Sequence, residues 1–411
     1  MAEDRETKNA LNSSEELTRV PYHLKKNYDE DFVKTRRKWL SEQVGVQFVH
    51  IDKHSIQSKD VQGNIENFVG AAQVPIGVMG PLKINGEFAK GAFYVPMATT
   101  EGALVETFQR GAIAITKAGG ANAVILKDDN YLDPIFILKD IGAVRKLISW
   151  VEEHFEDLKQ KVKETTQHGV LNKITPYVIG RRVILKFSYF THDAMGANMI
   201  NFATDQLCEF IAERVPIEKY LLRSNMSSEK KAAAVNLLFN YGKEVLVEVT
   251  LPRKVVTRYL NSSPEAISQA WHSWALGSIH AGMYGINAQF ANGLAALFIA
   301  CGQDVAHIVN ASVGINMLEM TSDGDLYASL KLPNILVGTV GGGTALGTQK
   351  ECLEMVGCYG KGKSKKFSEI VAAVLLSGEL GICAGITSGE FQKPHIRAST
   401  HTKEKAYTKQ S

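Results

Sequence analysis

The chain has 411 residues, 45% hydrophobic and 22% charged, with a net charge of +3. This is the composition of a folded globular protein with room for two or three domains, and so small a net charge argues against nucleic acid as a partner. Five cysteines (208, 301, 352, 358 and 383) with no CxxC pair argue against a disulfide framework or a metal site and fit a reducing cytoplasm.

Residues 1–20 are polar and of mixed charge, unlike a leader. No run reaches the roughly 18 uninterrupted apolar residues of a membrane span; Gly293–Cys301 comes nearest. Residues 1–65 read as a small N-terminal helical region. Within it Tyr22–Val44 is charged and amphipathic, with Leu24, Tyr28, Phe32, Trp39 and Leu40 as docking residues. Glu66–Pro81, rich in Gly and Pro, reads as an ordered, turn-rich wall.

Phe93–Met97 reads as a short strand feeding a helix capped by Thr100. Glu101 then falls in the first turn, where the helix dipole favours a carboxylate. Leu104, Val105, Phe108, Ala112 and Ile115 recur at three- and four-residue steps, one apolar stripe. Gly119-Gly120 can close the helix. The rest of the chain is expected to be organised around this helix. A carboxylate at the mouth of a buried helix has its pKa raised by burial; the plainer role of Glu101 is to serve the dipole.

A second body is expected from Asp128 onward. Pro134–Leu138 reads as a strand, Ala143–Thr165 as one amphipathic helix, Tyr177–Ile179 and Val183–Phe190 as strands, and the segment after Asp193 as a helix to Val215. That order fits a small, ferredoxin-like α+β unit, 133–221, inserted into a larger domain made of 66–132 and 232–411. A polar connecting loop, 222–231, carries Lys230 and Lys231. The second half alternates long helices with the strand-like Leu326–Leu332 and the glycine run Gly341-Gly-Gly343.

Several motifs are individually weak. Gly357–Ser364 fits the phosphate loop GxxxxGK[ST] letter for letter, but a helical segment precedes it where that motif needs a strand. Asp193-Ala-Met-Gly196 precedes a helix and can offer N–H groups to a pyrophosphate, or simply cap that helix. Gly341, Gly342 and Gly343 can admit a ligand close to the backbone, or mark a tight turn. Lys230, Asp304 and His395 each have an ordinary surface role as the alternative.

In order along the chain, ENFVGAAQVPIGVMGPL, VPMATTEGAL, HDAMGANMI, KKAAAVN, LFIACGQD, LYASLKLP and VGTVGGGT closely resemble hydroxymethylglutaryl-CoA reductase, class I group, over Glu66–His395. The resemblance implies a large domain around a central helix, an inserted small cofactor domain and a homo-oligomer, dimer or tetramer, with an interfacial active site. It also implies no membrane anchor. It assigns catalysis to Glu101, Lys230, Asp304 and His395. Nicotinamide-cofactor contacts fall to Asp193, Ala194, Met195, Gly196, Asn198, Gly341, Gly342 and Gly343, and Arg110 lies near CoA. The implied reaction is the four-electron reduction of hydroxymethylglutaryl-CoA to mevalonate and CoA by two NADPH, with NADH possible and no metal.

Three positions depart from the family. Its DGMTRGP is Asp128–Pro134 here, so the arginine that meets the substrate carboxylate is Leu132. The aspartate beside the catalytic lysine is Glu229, and a small pocket residue is Arg223. Arg223, with Glu229 and Lys231, is therefore assigned to substrate binding, as a replacement carboxylate partner. The alternatives are a same-fold reductase of a different acyl-CoA and, more distantly, a nucleotide-binding protein using Gly357–Ser364.

Overall fold

The computed structural model describes residues 19–165, 169–190 and 196–390, with backbone alone at 197–198. The contact pattern divides the chain between Gln73 and Val74.

In the first unit, α1 (Glu30–Val44) ends at Gly45 in the left-handed conformation. Its buried residues are Val33 and Arg36, whereas Leu24 is 81% exposed and docks nowhere. Arg36 is tolerated inside because its guanidinium donates to the carbonyls of Pro21 and Phe68 and to the Asn27 side chain.

The second unit opens with the antiparallel hairpin β1 (Ile76–Asn85) and β2 (Lys90–Ala98), then α2 (Leu104–Lys117). The stripe expected of α2 is present, with Leu104, Phe108, Ala112 and Ile115 buried. Its start is not where the sequence points. Ala103, not Thr100, is the N-cap, at φ 67°, and Glu101 sits in the turn before the helix, exposed rather than buried.

Next come β3 (Asn122–Leu132), β4 (Ile135–Ile137), α3 (Ile141–Glu153), α4 (Phe155–Thr165), β5 (Val170–Ile179), β6 (Arg182–Phe190), α5 (Ala197–Ala212) and β7 (Lys219–Leu221). The single helix expected over 143–165 is two, broken at His154, whose backbone leaves the helical region at φ −106° and ψ 22°; its ring stacks on Trp150 at 4.4 Å. Beyond the loop 222–231 lie β8 (Gly242–Leu251), α6 (Pro264–His280), α7 (Phe290–Ala300), β9 (Ile315–Met320), β10 (Leu326–Ile335), α8 (Gly347–Met355) and α9 (Ser364–Thr387).

One sheet runs β7-β4-β6-β3-β8-β10-β9, with β5 on β6. The first part of β3, Asn122–Asp129, pairs with β8, and Asn130–Leu132 pairs with β6. β3 therefore belongs to two bodies. One hydrophobic cluster gathers β1, β2, α2, β8, α7, β10 and α9. The other gathers β4, α3, α4, β6 and α5, from Leu132 to Val215.

The most buried element is α9, not α2. It is 24 residues long, and its most apolar 18-residue stretch has a mean hydropathy of 1.9, long and apolar enough to span a bilayer by those two criteria, yet 83% of that stretch is buried within the protein. It also carries two internal carboxylates. Glu369 accepts the N–H groups of Glu87, Phe88 and Ala89, and Glu379 those of Ala288 and Gln289. α9 crosses α2 at glycines: a Cβ on Gly111 would lie 1.9 Å from the Ser377 carbonyl oxygen, and one on Gly381 2.0 Å from that of Thr107.

Candidate active site

The loop after β7 is held in a demanding conformation. Asn225, Ser228 and Lys230 have φ of 73°, 49° and 59°, a region that side chains with a Cβ avoid. Three fully buried asparagines compensate. Asn236 Nδ2 donates to Ser228 Oγ at 2.8 Å, and its Oδ1 accepts from the Ala233 N–H. Asn310 Oδ1 accepts from the Lys230 N–H at 3.2 Å. Asn334 ties the Asn236 carbonyl to the Tyr241 N–H. Asn236 closes the phrase KKAAAVN, but its role and those of Asn310 and Asn334 are not legible in the sequence, because an asparagine's partner is visible only in the fold.

This conformation sends the Lys230 ammonium to Asp304, with Nζ 2.7 Å from Oδ2. Asp304 follows α7 and caps the next turn, accepting the Ala306 N–H. Partial burial pushes its carboxyl up. The Lys230 ammonium and the Ala306 N–H outweigh that and hold it below its ordinary value. Lys231 Nζ donates to the Glu229 carbonyl at 3.1 Å. Glu229 is buried and pairs with Arg223, whose Nη2 also donates to Asn201 Oδ1 at 2.9 Å. Leu132 is 2% exposed and part of the second core.

Glu101 lies elsewhere within this chain. Both its carboxylate oxygens accept from Asn292 Nδ2, at 3.1 and 2.9 Å. Asn292 is in the first turn of α7, and Asp304 follows the last, so roughly 12 Å of helix intervenes at 1.5 Å per residue. One chain thus joins Lys230 and Asp304 and leaves Glu101 at the opposite end of α7. Arg110, on α2, lies 3.6 Å from Glu390. His395 lies outside the described residues, as do Asp193, Ala194 and Met195.

The glycine run adjoins Asp304. Gln303 clamps Gly338, accepting its N–H at 2.8 Å and donating to its carbonyl at 3.0 Å. A Cβ on Gly302 would meet the Gly343 carbonyl oxygen at 2.4 Å, so these turns touch backbone to backbone. Gly341 and Gly342 have φ of 74° and 52°, with no atom of the described residues within 4 Å of where a Cβ would stand. That is backbone open to a ligand. Gly196 caps α5 without a side-chain partner for the helix N–H groups, a fit for an anionic pyrophosphate; Asn198 lies in the first turn. Both features fit a dinucleotide. Gly357–Ser364 follows a helix, α8, so it is not the phosphate loop its letters spell. No three His, Cys, Asp or Glu side chains cluster as metal ligands among the described residues.

The model of the hydroxymethylglutaryl-coenzyme A reductase family matches residues 32–400. A 3-hydroxy-3-methylglutaryl-coenzyme A reductase of Methanocaldococcus jannaschii is 43% identical over 384 residues, covering 91% of this chain and 95% of its own. One from Pyrococcus horikoshii is 42% identical over 369 residues, 88% of this chain and 89% of its own. Among solved structures, the class II enzyme of Streptococcus pneumoniae, bound to NADPH in open conformations, superposes with a TM-score of 0.67 at 17% identity. It covers 86% of this chain and 97% of that one. At that identity the likeness is one of fold.

Proposed function

Because this chain belongs to the hydroxymethylglutaryl-coenzyme A reductase family, we propose that Lys230, Asp304, Glu101 and His395 carry its chemistry in a site shared between two subunits. The enzyme reduces 3-hydroxy-3-methylglutaryl-CoA to mevalonate and CoA in the mevalonate route to isoprenoids. NADPH is the reductant, and when bound it supplies the hydride.

The protein's own part is to manage charge. Each reduction of the thioester, and then of the aldehyde, builds negative charge on the carbonyl oxygen. An ammonium beside that oxygen stabilises it, the role of Lys230. Asp304 keeps the ammonium aimed. Glu101 supplies the proton the alkoxide needs, and His395 protonates the departing CoA thiolate, a task suited to an imidazole. The observation that carries this reading is the 2.7 Å Lys230–Asp304 contact on a strained, asparagine-braced loop.

Glu101 at the far end of α7 is why the site needs a second copy: a two-fold partner can bring its own Glu101 to this Lys230. We assign the class I group on the sequence phrases between Glu66 and His395. The small unit between β4 and β7 is assigned to the nicotinamide cofactor, through Asp193, Ala194, Met195, Gly196 and Asn198, with Gly341, Gly342 and Gly343 facing it. Arg110 is assigned to CoA, and a cytoplasmic location fits the free cysteines.

Arg223 is assigned to the substrate carboxylate in place of the family arginine. Two of its five N–H bonds are used, on Glu229 and Asn201, and three remain. Glu229 and Lys231 frame it.

The test is NADPH consumption with hydroxymethylglutaryl-CoA, in wild type and Lys230→Met. Wild type is expected to turn over. The variant should lose about 100- to 1,000-fold in kcat, the cost of one oxyanion donor. A variant with full turnover overturns the assignment.

A further inference from the structure

Beneath the Lys230–Asp304 pair lies an imidazole that the reaction as described does not use. His307 is 0% exposed, on the turn that Asp304 caps. Its Nδ1 is 3.3 Å from Asn310 Oδ1, and Nε2 has no hydrogen-bond partner among the described residues. Nε2 lies 3.9 Å from Asp304 Oδ2 and 3.9 Å from Glu229 Oε1. Asp304 Oδ2 is the same oxygen that Lys230 holds at 2.7 Å. Tyr241 stacks on the ring at 6.0 Å, and Arg223 stands behind Glu229.

The tautomer follows from the neighbours. A backbone N–H can only donate, so Asn310 Oδ1, which takes the Lys230 N–H, is an acceptor. His307 Nδ1 must therefore carry the proton. In the neutral ring Nε2 is then a lone pair facing two carboxylate oxygens, three acceptors with no donor among them. Repulsion from that lone pair turns Asp304 Oδ2 toward the one cation within reach, Lys230.

We propose that His307 is a positioning residue for the Lys230–Asp304 pair, bracing the Lys230 backbone through Asn310 with Nδ1 and orienting Asp304 with Nε2. The inference rests on reading that pair as catalytic. Proton uptake reverses the second action. An Nε2–H donates to Asp304 Oδ2 and draws it down from the ammonium, so the neutral ring is the working form. Burial, opposed by Asp304 and Glu229, holds the His307 pKa below its ordinary value, which keeps the ring neutral near pH 7. Activity should therefore fall with acid through a pKa below that of a free imidazole.

Two variants separate the two actions. His307→Asn keeps a donor where Nδ1 stands and has nothing at Nε2; His307→Phe has neither. In NADPH oxidation from about pH 5.5 to about pH 8.5, which brackets imidazole titration, we expect His307→Phe to lose about 10- to 100-fold in kcat. KM for NADPH should stay within about twofold. His307→Asn should recover part of that kcat and lack the wild-type acid limb.

A His307→Asn enzyme with an unchanged acid limb overturns the proposal, as does a folded His307→Phe enzyme with wild-type kcat. If the Phe variant does not fold, the Asn variant decides alone. Lys230→Met distinguishes the two failures. If that variant is crippled while both His307 variants behave as wild type, only the role of His307 falls. If it turns over fully, the catalytic pair itself falls.

Discussion

Arg223 and Asp133 show how single side chains report on the site. Arg223→Ala removes the guanidinium assigned to the substrate carboxylate and leaves buried Glu229 without its partner. KM for hydroxymethylglutaryl-CoA should rise about 10- to 100-fold, the range of a charge-assisted bidentate contact. An unchanged KM removes Arg223 from the binding site. Asp133 is 1% exposed, and neither carboxylate oxygen has a hydrogen-bond partner among the described residues. Burial pushes its pKa up to about 7, against the pull of Lys186. A pKa raised on folding means that the folded state loses stability as the group ionises, from its unfolded value near 4 up to about 7. Asp133→Asn should thus change little below about pH 4 and raise the urea midpoint increasingly from there to about pH 7. The gain is capped at about 4 kcal/mol and reduced by stranding Lys186. A midpoint difference that does not grow with pH would contradict this.

At the scale of elements, the α2–α9 crossing depends on missing side chains. Gly381→Val would drive a Cβ into the Thr107 carbonyl, backbone against backbone, where no rotamer gives relief. It should cost more than about 3 kcal/mol or leave no soluble protein. Gly277 is the converse: exposed, in the interior of α6, with nothing within 4 Å of its Cβ position. Gly277→Ala should stabilise by about 0.5–1 kcal/mol, read as a higher urea midpoint.

Elements with a strong period were legible beforehand: the α2 stripe, the β6 run and the glycine closure after Lys117. What the sequence hid was set by tertiary contacts. Thr100 is a good cap by type, but β2 continues to Ala98 and the chain turns through Ala103 first. Lys230 and Asp304 were identified by resemblance, and the fold does bring them together. Asn292, Asn310 and His307 carried no local signal, since each acts only through a partner distant in sequence or on an adjacent turn.

At the scale of the whole molecule, the separation of Glu101 from Lys230 along α7 predicts trans complementation. Glu101→Gln and Lys230→Met should each be nearly inactive. In the proposed dimer, mixing after unfolding and reassembly should place one of each subunit in half of the assemblies, with one of the two sites in each of those intact. Activity should return to about a quarter of wild type. No recovery, with mixed dimers demonstrated, would place all the catalytic groups in one subunit.

β4 and β7 are hydrogen-bonded neighbours, and the Ser224 N–H donates to the Asp133 carbonyl at 2.8 Å. The excursion from residue 134 to residue 222 therefore leaves and returns through one doorway, the width of a single strand pair. Closing that doorway with two glycines would cut away the second core while disturbing little of the first, whose β3–β8 pairing ends at Asp129. Such a shortened chain is expected to fold and to be blind to nicotinamide. Its successful purification would mean that the first core stands without the second.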